Sequence, residues 1–235
     1  WSFYGHKLGE GDFTLTMNVK KESDDKYLIS VDGNYMDGRK ISGKGSSKVY
    51  SGYEWRGDLR IEGIKYKQVF AFDSKTGELS GSMFETLHEE EHSTLTGVKN
   101  GANSIILGIY PKAVKAGTRS TITISGANLK GDIKLSSGLK INKVLSKSST
   151  NITLDVTASS KYKEKEINVT VGSTKTKEKV VVYKKIDSLK VFPTYAISRV
   201  GDGGGKMAKR HAIFEAHGYL AGKDGKIGTS DDISL

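Results

Sequence analysis

Alternation restricts this chain more than any other feature. In FTLTMNV (Phe13 to Val19), YLISVDGNY (Tyr27 to Tyr35) and KVYSGYEWRGDLRI (Lys48 to Ile61), apolar and polar residues follow one another with a period of two. That period puts one set of side chains on each face of an extended strand and fits no helix. Turn signals separate the strands: KESDD at Lys21 to Asp25, MDGR at Met36 to Arg39, IEGI at Ile61 to Ile64 and DSKTGE at Asp73 to Glu78. Residues 1–99 are therefore expected to form an antiparallel barrel or strongly curved sheet, because closure removes the edges on which other chains would pair.

The pattern changes after NGANS (Asn100 to Ser104). YPKAVKAGTRSTITISGANL is similar to the opening of bacterial immunoglobulin-like domains, with a turn at Ala116 and Gly117 and a strand from Ser120 to Ser125. Further strands are predicted at Gly138 to Val144, Asn151 to Val156, Glu166 to Val171 and Lys179 to Tyr183, the strand count of a β-sandwich over 104–185. A third unit, 186–235, reads as strand, glycine loop, strand and acidic tail. The fold class is thus all-β: an antiparallel barrel, an Ig-like sandwich and a partial second Ig-like domain.

Composition narrows the function. With no cysteine among 235 residues, the chain cannot carry the C-x-x-C-H attachment of a c-type haem, a disulfide or a thiolate zinc site. It has no apolar run of the roughly 18 residues that a membrane-spanning helix needs. The formal net charge of +10 would suit acidic partners, but the lysines are spread through strands and turns. A solvated basic surface is the expected reading, with no nucleic-acid partner.

Several segments invite chemistry. HEEEH, His88 to His92, satisfies the zincin pattern H-E-x-x-H, with Glu89 as base. That chemistry needs both histidines on one helical face, and the flanking GELSGSMF and STLTGV are strand-like, so a charged hairpin connection is expected. GDGGGK (Gly201 to Lys206) lacks Walker spacing and is expected to be an interstrand loop. DGKIGTSDD, with Asp224, Asp231 and Asp232, is either a turn or a calcium loop without EF-hand spacing; a turn is the expected reading. Tyr50, Tyr53 and Trp55 are expected on one strand and one face, as core or as a docking surface for another subunit. His6, His211 and His217 are expected to be surface or hydrogen-bonded residues. The triplets Asn151 to Thr153 and Asn168 to Thr170 match an N-glycosylation pattern that chance also produces. Serine nucleophile elbows, dinucleotide fingerprints and paired catalytic carboxylates are not found in the sequence.

Three stretches carry a family resemblance: KVYSGYEWRG, YAISRVGDGGG with FEAHGY, and GKDGKIGTSDDI. In these the chain resembles the alpha subunit of quinohemoprotein amine dehydrogenase, in the β domains that follow its dihaem domain. The resemblance implies a non-catalytic scaffold in a periplasmic or otherwise exported bacterial enzyme that deaminates primary amines. It places c-type haem in a separate domain and cysteine tryptophylquinone in a small subunit, with a propeller subunit completing the complex. It assigns no catalytic, cofactor-binding or metal residue to this chain. An exported adhesion or assembly protein built from the same modules is the alternative. Trp1 opens directly in strand-like sequence, without a Met or a leader, and the family's last domain would continue beyond Leu235. Both ends are therefore expected to be cut.

Overall fold

The structure, a computed structural model, describes residues 1–86, 88–101, 103–196 and 212–235, with the backbone alone at 88–91. The described residues are strands, turns and loops. Trp1–Asn103 forms one compact unit, and the described residues from Ser104 onward belong to a second.

Eight strands build the first unit: β1 (Ser2–Lys7), β2 (Gly11–Lys21), β3 (Lys26–Tyr35), β4 (Lys40–Tyr50), β5 (Glu54–Ile61), β6 (Ile64–Asp73), β7 (Glu78–Glu85) and β8 (His88–Val98). Each pairs antiparallel with its sequence neighbour, and β8 returns to β1 with Phe3 opposite Gly97, which closes the barrel. The inward phase of the alternation fills it with Phe3, Phe13, Leu15, Met17, Val31, Leu59, Phe70, Leu79 and Leu95, the filling expected of an eight-stranded barrel. Two inward positions need glycine because a backbone or a packed ring fills the space a side chain would take. A Cβ on Gly45 would lie 1.9 Å from the Asp58 carbonyl oxygen, and one on Gly97 would lie 2.4 Å from the Phe3 ring.

One expected strand is two. KVYSGYEWRGDLRI contains a turn at 51–53, where Ser51 and Gly52 take φ of 52° and 75°, so β4 ends at Tyr50 and β5 starts at Glu54. The aromatics at 50, 53 and 55, spaced by three and then two, fall out of the period of two at the break. The IEGI hairpin stands as expected, with Glu62 and Gly63 at φ 48° and 84°, the left-handed pair of a type I′ turn.

The second unit starts with β9 (Ile105–Tyr110), β10 (Ala113–Lys115), β11 (Arg119–Ala127), β12 (Ile133–Leu135), β13 (Leu139–Lys147), β14 (Asn151–Ala158), β15 (Glu164–Ile167), β16 (Val169–Val171), β17 (Thr174–Lys175) and β18 (Val180–Tyr183). A four-stranded sheet, β13-β14-β11-β9, and two three-stranded sheets, β10-β18-β15 and β12-β16-β17, share one core of Ile122, Ile124, Ile152, Leu154, Val156, Ile167, Val169 and Val182. These sheets are consistent with an Ig-like domain. The single strand expected over Glu166 to Val171 is interrupted at Asn168, whose amide N–H donates to Ser136 Oγ at 2.9 Å. The break lets the chain leave β18 and join β12, a strand switching sheets. β19 (Ser188–Phe192), β20 (Glu215–Leu220) and β21 (Ile233–Ser234) then form a sheet of their own within the same unit.

Candidate functional site

The barrel has two ends of different chemistry. Turns 22–25, 51–53 and 74–77 close one end. Here Trp55 is buried against Tyr27, with ring centroids 5.6 Å apart, whereas Tyr50 and Tyr53 are exposed. The three aromatics therefore do not share a strand or a face: Tyr50 ends β4, Tyr53 lies in the turn, and Trp55 alone joins the core. Arg56 covers the outer Tyr50, its guanidinium 5.3 Å from the ring centroid.

At the other end, turns 8–10, 36–39 and 62–63 surround a cavity of about 340 Å³. Glu10, Arg39, Lys40 and Glu62 form its rim, and Phe13, Ile41, Tyr66 and Met83 form its apolar walls. Lys7 reaches in from the end of β1, in phase with Phe3, and only 8% of it is exposed. Its ammonium lies 3.5 Å from Glu10 Oε1 and 5.8 Å from the Tyr66 ring centroid. Arg39 latches two turns together: Nη1 bonds Glu10 Oε2, Nη2 donates to the Glu10 carbonyl at 3.2 Å, and Nε donates to Asp37 Oδ2 at 2.7 Å. Its guanidinium also lies 4.4 Å from the Tyr35 ring centroid.

The charges at this mouth act on one another. Burial works to raise the Glu10 pKa, but the hydrogen bond from Arg39 and the charges of Lys7 and Arg39 outweigh it, holding the carboxyl below its ordinary value. Asp37 is held low by the Arg39 amide and then by the Arg39 side chain. Burial pushes the Tyr35 phenol up.

Beneath the rim a polar row crosses the barrel wall. Cross-strand pairing sets Lys7 opposite Ser93, Ser93 opposite Met83, Met83 opposite Gln68, Gln68 opposite Gly57 and Gly57 opposite Ser47. Paired residues share a face, so the row runs inside, from the mouth on β1 to β4. Ser93, Gln68 and Ser47 are buried, yet Ser93 Oγ, Gln68 Oε1 and Ser47 Oγ have no hydrogen-bond partner in the protein. The Gln68 amide makes a long contact to Met83 Sδ, 3.9 Å. Sequence reading did not find this row. Its signal was the intrusion of Lys7, Gln68 and Ser93 into the inward phase of strands otherwise filled by Phe3, Tyr66, Phe70 and Leu95.

The motifs singled out from the sequence fare differently. HEEEH enters β8 as extended backbone, with Glu85 opposite His88 and a register shift beside it. The helical face that the zincin pattern requires does not form there, and the side chains of 88–91 lie outside the described residues. His6 Nδ1 lies 2.6 Å from Asp12 Oδ1, beside a Tyr4 hydroxyl donating to the same carboxylate at 2.5 Å. His217 lies 3.3 Å from Glu215 and edge-on to Phe192. GDGGGK and His211 lie outside the described residues.

The acidic tail forms a turn that folds onto its own main chain. Asp231 Oδ2 accepts from the amides of Lys223 and Asp224 at 2.7 and 3.1 Å, Oδ1 accepts from the Thr229 hydroxyl, and Asp232 accepts from the Gly228 amide. The Thr229 hydroxyl and those amides hold the Asp231 carboxyl below its usual range. Among the described residues no group of three or more His, Cys, Asp or Glu is placed to hold a metal ion. Asn151 is engaged by the Ser125 hydroxyl, which donates to its Oδ1 at 2.8 Å.

An eight-stranded closed barrel leading into further β-sheets, with no helix long and apolar enough to cross a membrane among the described residues, defines a multi-domain all-β chain. Models of three successive domains match it: quinohemoprotein amine dehydrogenase alpha subunit domain II over residues 1–100, domain III over 103–184 and domain IV over 189–235. The chain belongs to this alpha-subunit family, as the resemblance in its sequence implied. Haem and quinone are the redox groups of such enzymes, and a chain without cysteine does not fit a c-type haem attachment, so these groups sit elsewhere in the complex. No curated protein matches the chain.

Among solved structures, a redesigned β-barrel bound to DFHBI is 19% identical, covering 41% of this chain and 86% of its own, with a TM-score of 0.35. A de novo fluorescence-activating β-barrel is also 19% identical, covering 42% and 90%, TM-score 0.35. A Bacteroides ovatus protein of a mixed-linkage glucan utilization locus, in complex with a heptasaccharide, is 13% identical over 97% and 66%, TM-score 0.26. Likenesses at these TM-scores carry no argument.

Proposed function

We propose that this chain is the non-catalytic β scaffold of an exported, periplasmic amine dehydrogenase. Its domains II, III and IV would support a dihaem domain, a propeller subunit and a small subunit carrying cysteine tryptophylquinone. The assembly would deaminate primary amines to aldehydes and ammonia, passing electrons from quinone to haem and on to a soluble acceptor. The succession of three domain matches in family order along a cysteine-free chain is the observation that supports this reading.

The role of the chain is geometric. Electron transfer depends on the separation of its redox groups, and antiparallel sheets with buried apolar cores hold separations that loops would not. None of the redox steps uses a residue described above. The test is to isolate the native assembly with an antibody to this chain and to assay amine-dependent reduction of an electron acceptor. Activity that co-purifies with the chain, together with a c-type haem absorbance that primary amine reduces, is the expected result. An assembly holding the chain but neither haem nor quinone overturns the proposal.

A further inference from the structure

Lys7 is an unusual residue to find facing into a barrel. Burying an ammonium costs free energy unless it is paired and its donors are used. Among the described residues one carboxylate, Glu10 at 3.5 Å, shares an ion whose three N–H groups can each donate. Glu10 is itself bonded to Arg39, so the Lys7 ammonium has capacity for a further acceptor. Its neighbours on the row lie behind the cavity's lining and are polar as well. Ser93, 1% exposed, carries a hydroxyl without a partner, and the Gln68 amide, 2% exposed, has only a thioether contact. Buried polar groups are ordinarily satisfied, and a buried ammonium that lines a cavity with donors to spare marks where something else completes it.

The cavity above has the complementary half of a binding site. Its volume, about 340 Å³, falls at the lower end of the roughly 300–1,000 Å³ that small-molecule sites occupy, and mouths of β-barrels are a preferred place for them. Phe13, Ile41, Tyr66 and Met83 offer apolar and aromatic surface, and the donors Lys7, Arg39 and Lys40 line the same cavity. We infer that the mouth of the barrel binds a small monocarboxylate with a short apolar body, its carboxylate on Lys7 and its body against Phe13, Ile41 and Met83. This site is separate from the scaffold role, and neither idea depends on the other.

The chain supplies its own reporter. Met83 lines the cavity, whereas Met17 sits in the barrel interior outside the cavity's lining. With methionine methyls carbon-13 labelled in the 235-residue chain, titration with octanoate should move the Met83 methyl signal saturably and leave that of Met17 in place. Octylamine, of equal length and opposite charge, should not move it. Lys7→Met should weaken octanoate roughly tenfold or more, as loss of a hydrogen bond to a charged group implies. An unchanged Met17 signal certifies that each variant is folded. If Lys7→Met disturbs Met17, the octanoate and octylamine titrations of the unaltered chain decide. A Met83 signal that ignores octanoate, follows octylamine equally, or keeps its octanoate response in folded Lys7→Met overturns the site.

Discussion

The barrel and the sandwich solve the same packing problem with different materials. The sandwich core is aliphatic throughout, built from isoleucine, valine, leucine and alanine, because facing sheets leave a thin gap that branched side chains fill without a polar atom. The barrel core uses phenylalanine, tyrosine, tryptophan and methionine and admits Lys7, Ser47, Gln68 and Ser93. Closing eight strands makes an interior that large side chains fill along most of its length and leave open at one end. The difference separates a domain that has only to be rigid from one that is rigid and also holds a space.

The largest expected effect tests the dry core. Leu154→Ala, at a fully buried position, should cost about 3 kcal/mol of the second unit's stability in denaturant unfolding, within the range of roughly 2–5 kcal/mol for such truncations. Gly45→Ala comes next. The added methyl has no room beside the Asp58 carbonyl, so unfolding of the barrel should lose about 1–3 kcal/mol, the usual cost of overpacking.

A smaller effect of opposite sign would sharpen the contrast. Gln68→Leu removes a buried oxygen without a partner while keeping its volume, so the barrel should keep its stability or gain up to about 1 kcal/mol. A loss as large as that of Leu154→Ala would break the comparison, because the polar row would then be holding the barrel together.

The smallest effect is electrostatic. In the sandwich the Arg119 guanidinium and the Asn142 amide hold the Asp155 carboxyl below its ordinary pKa. A lowered folded-state pKa means stability that is present above the unfolded value, about 3.9, and lost as pH falls through the folded one. The difference in melting temperature between the unaltered chain and Asp155→Asn should stay constant from about pH 7 to 5 and shrink below about 4.

Much of the fold was legible in the sequence. Period-two strands and the turns at 36–39, 61–64 and 73–78 announced the hairpins of the barrel, since glycine and Asp at those places have a conformational reason to be there. Two breaks were not legible. The turn at 51–53 lies inside a run rich in aromatics, Tyr50, Tyr53 and Trp55, and the switch at Asn168 divides a stretch whose pattern is unbroken, because its residues are buried in both sheets. The polar row was invisible for another reason. Lys7, Gln68 and Ser93 are far apart in sequence and meet only through register, which is decided by the closed barrel as a whole. The zincin pattern at His88 failed as a guide because a spacing has meaning only on the element that realises it, and here that element is a strand.

The central claim, that these domains are the β scaffold of a haem- and quinone-dependent enzyme, is tested most directly by peptide mapping of the native polypeptide by mass spectrometry. The account predicts haem-modified C-x-x-C-H peptides in the same polypeptide as this sequence, with a quinone-bearing small subunit co-purifying. A native polypeptide that contains these domains and no haem-modified peptide, isolated without partners, would contradict it.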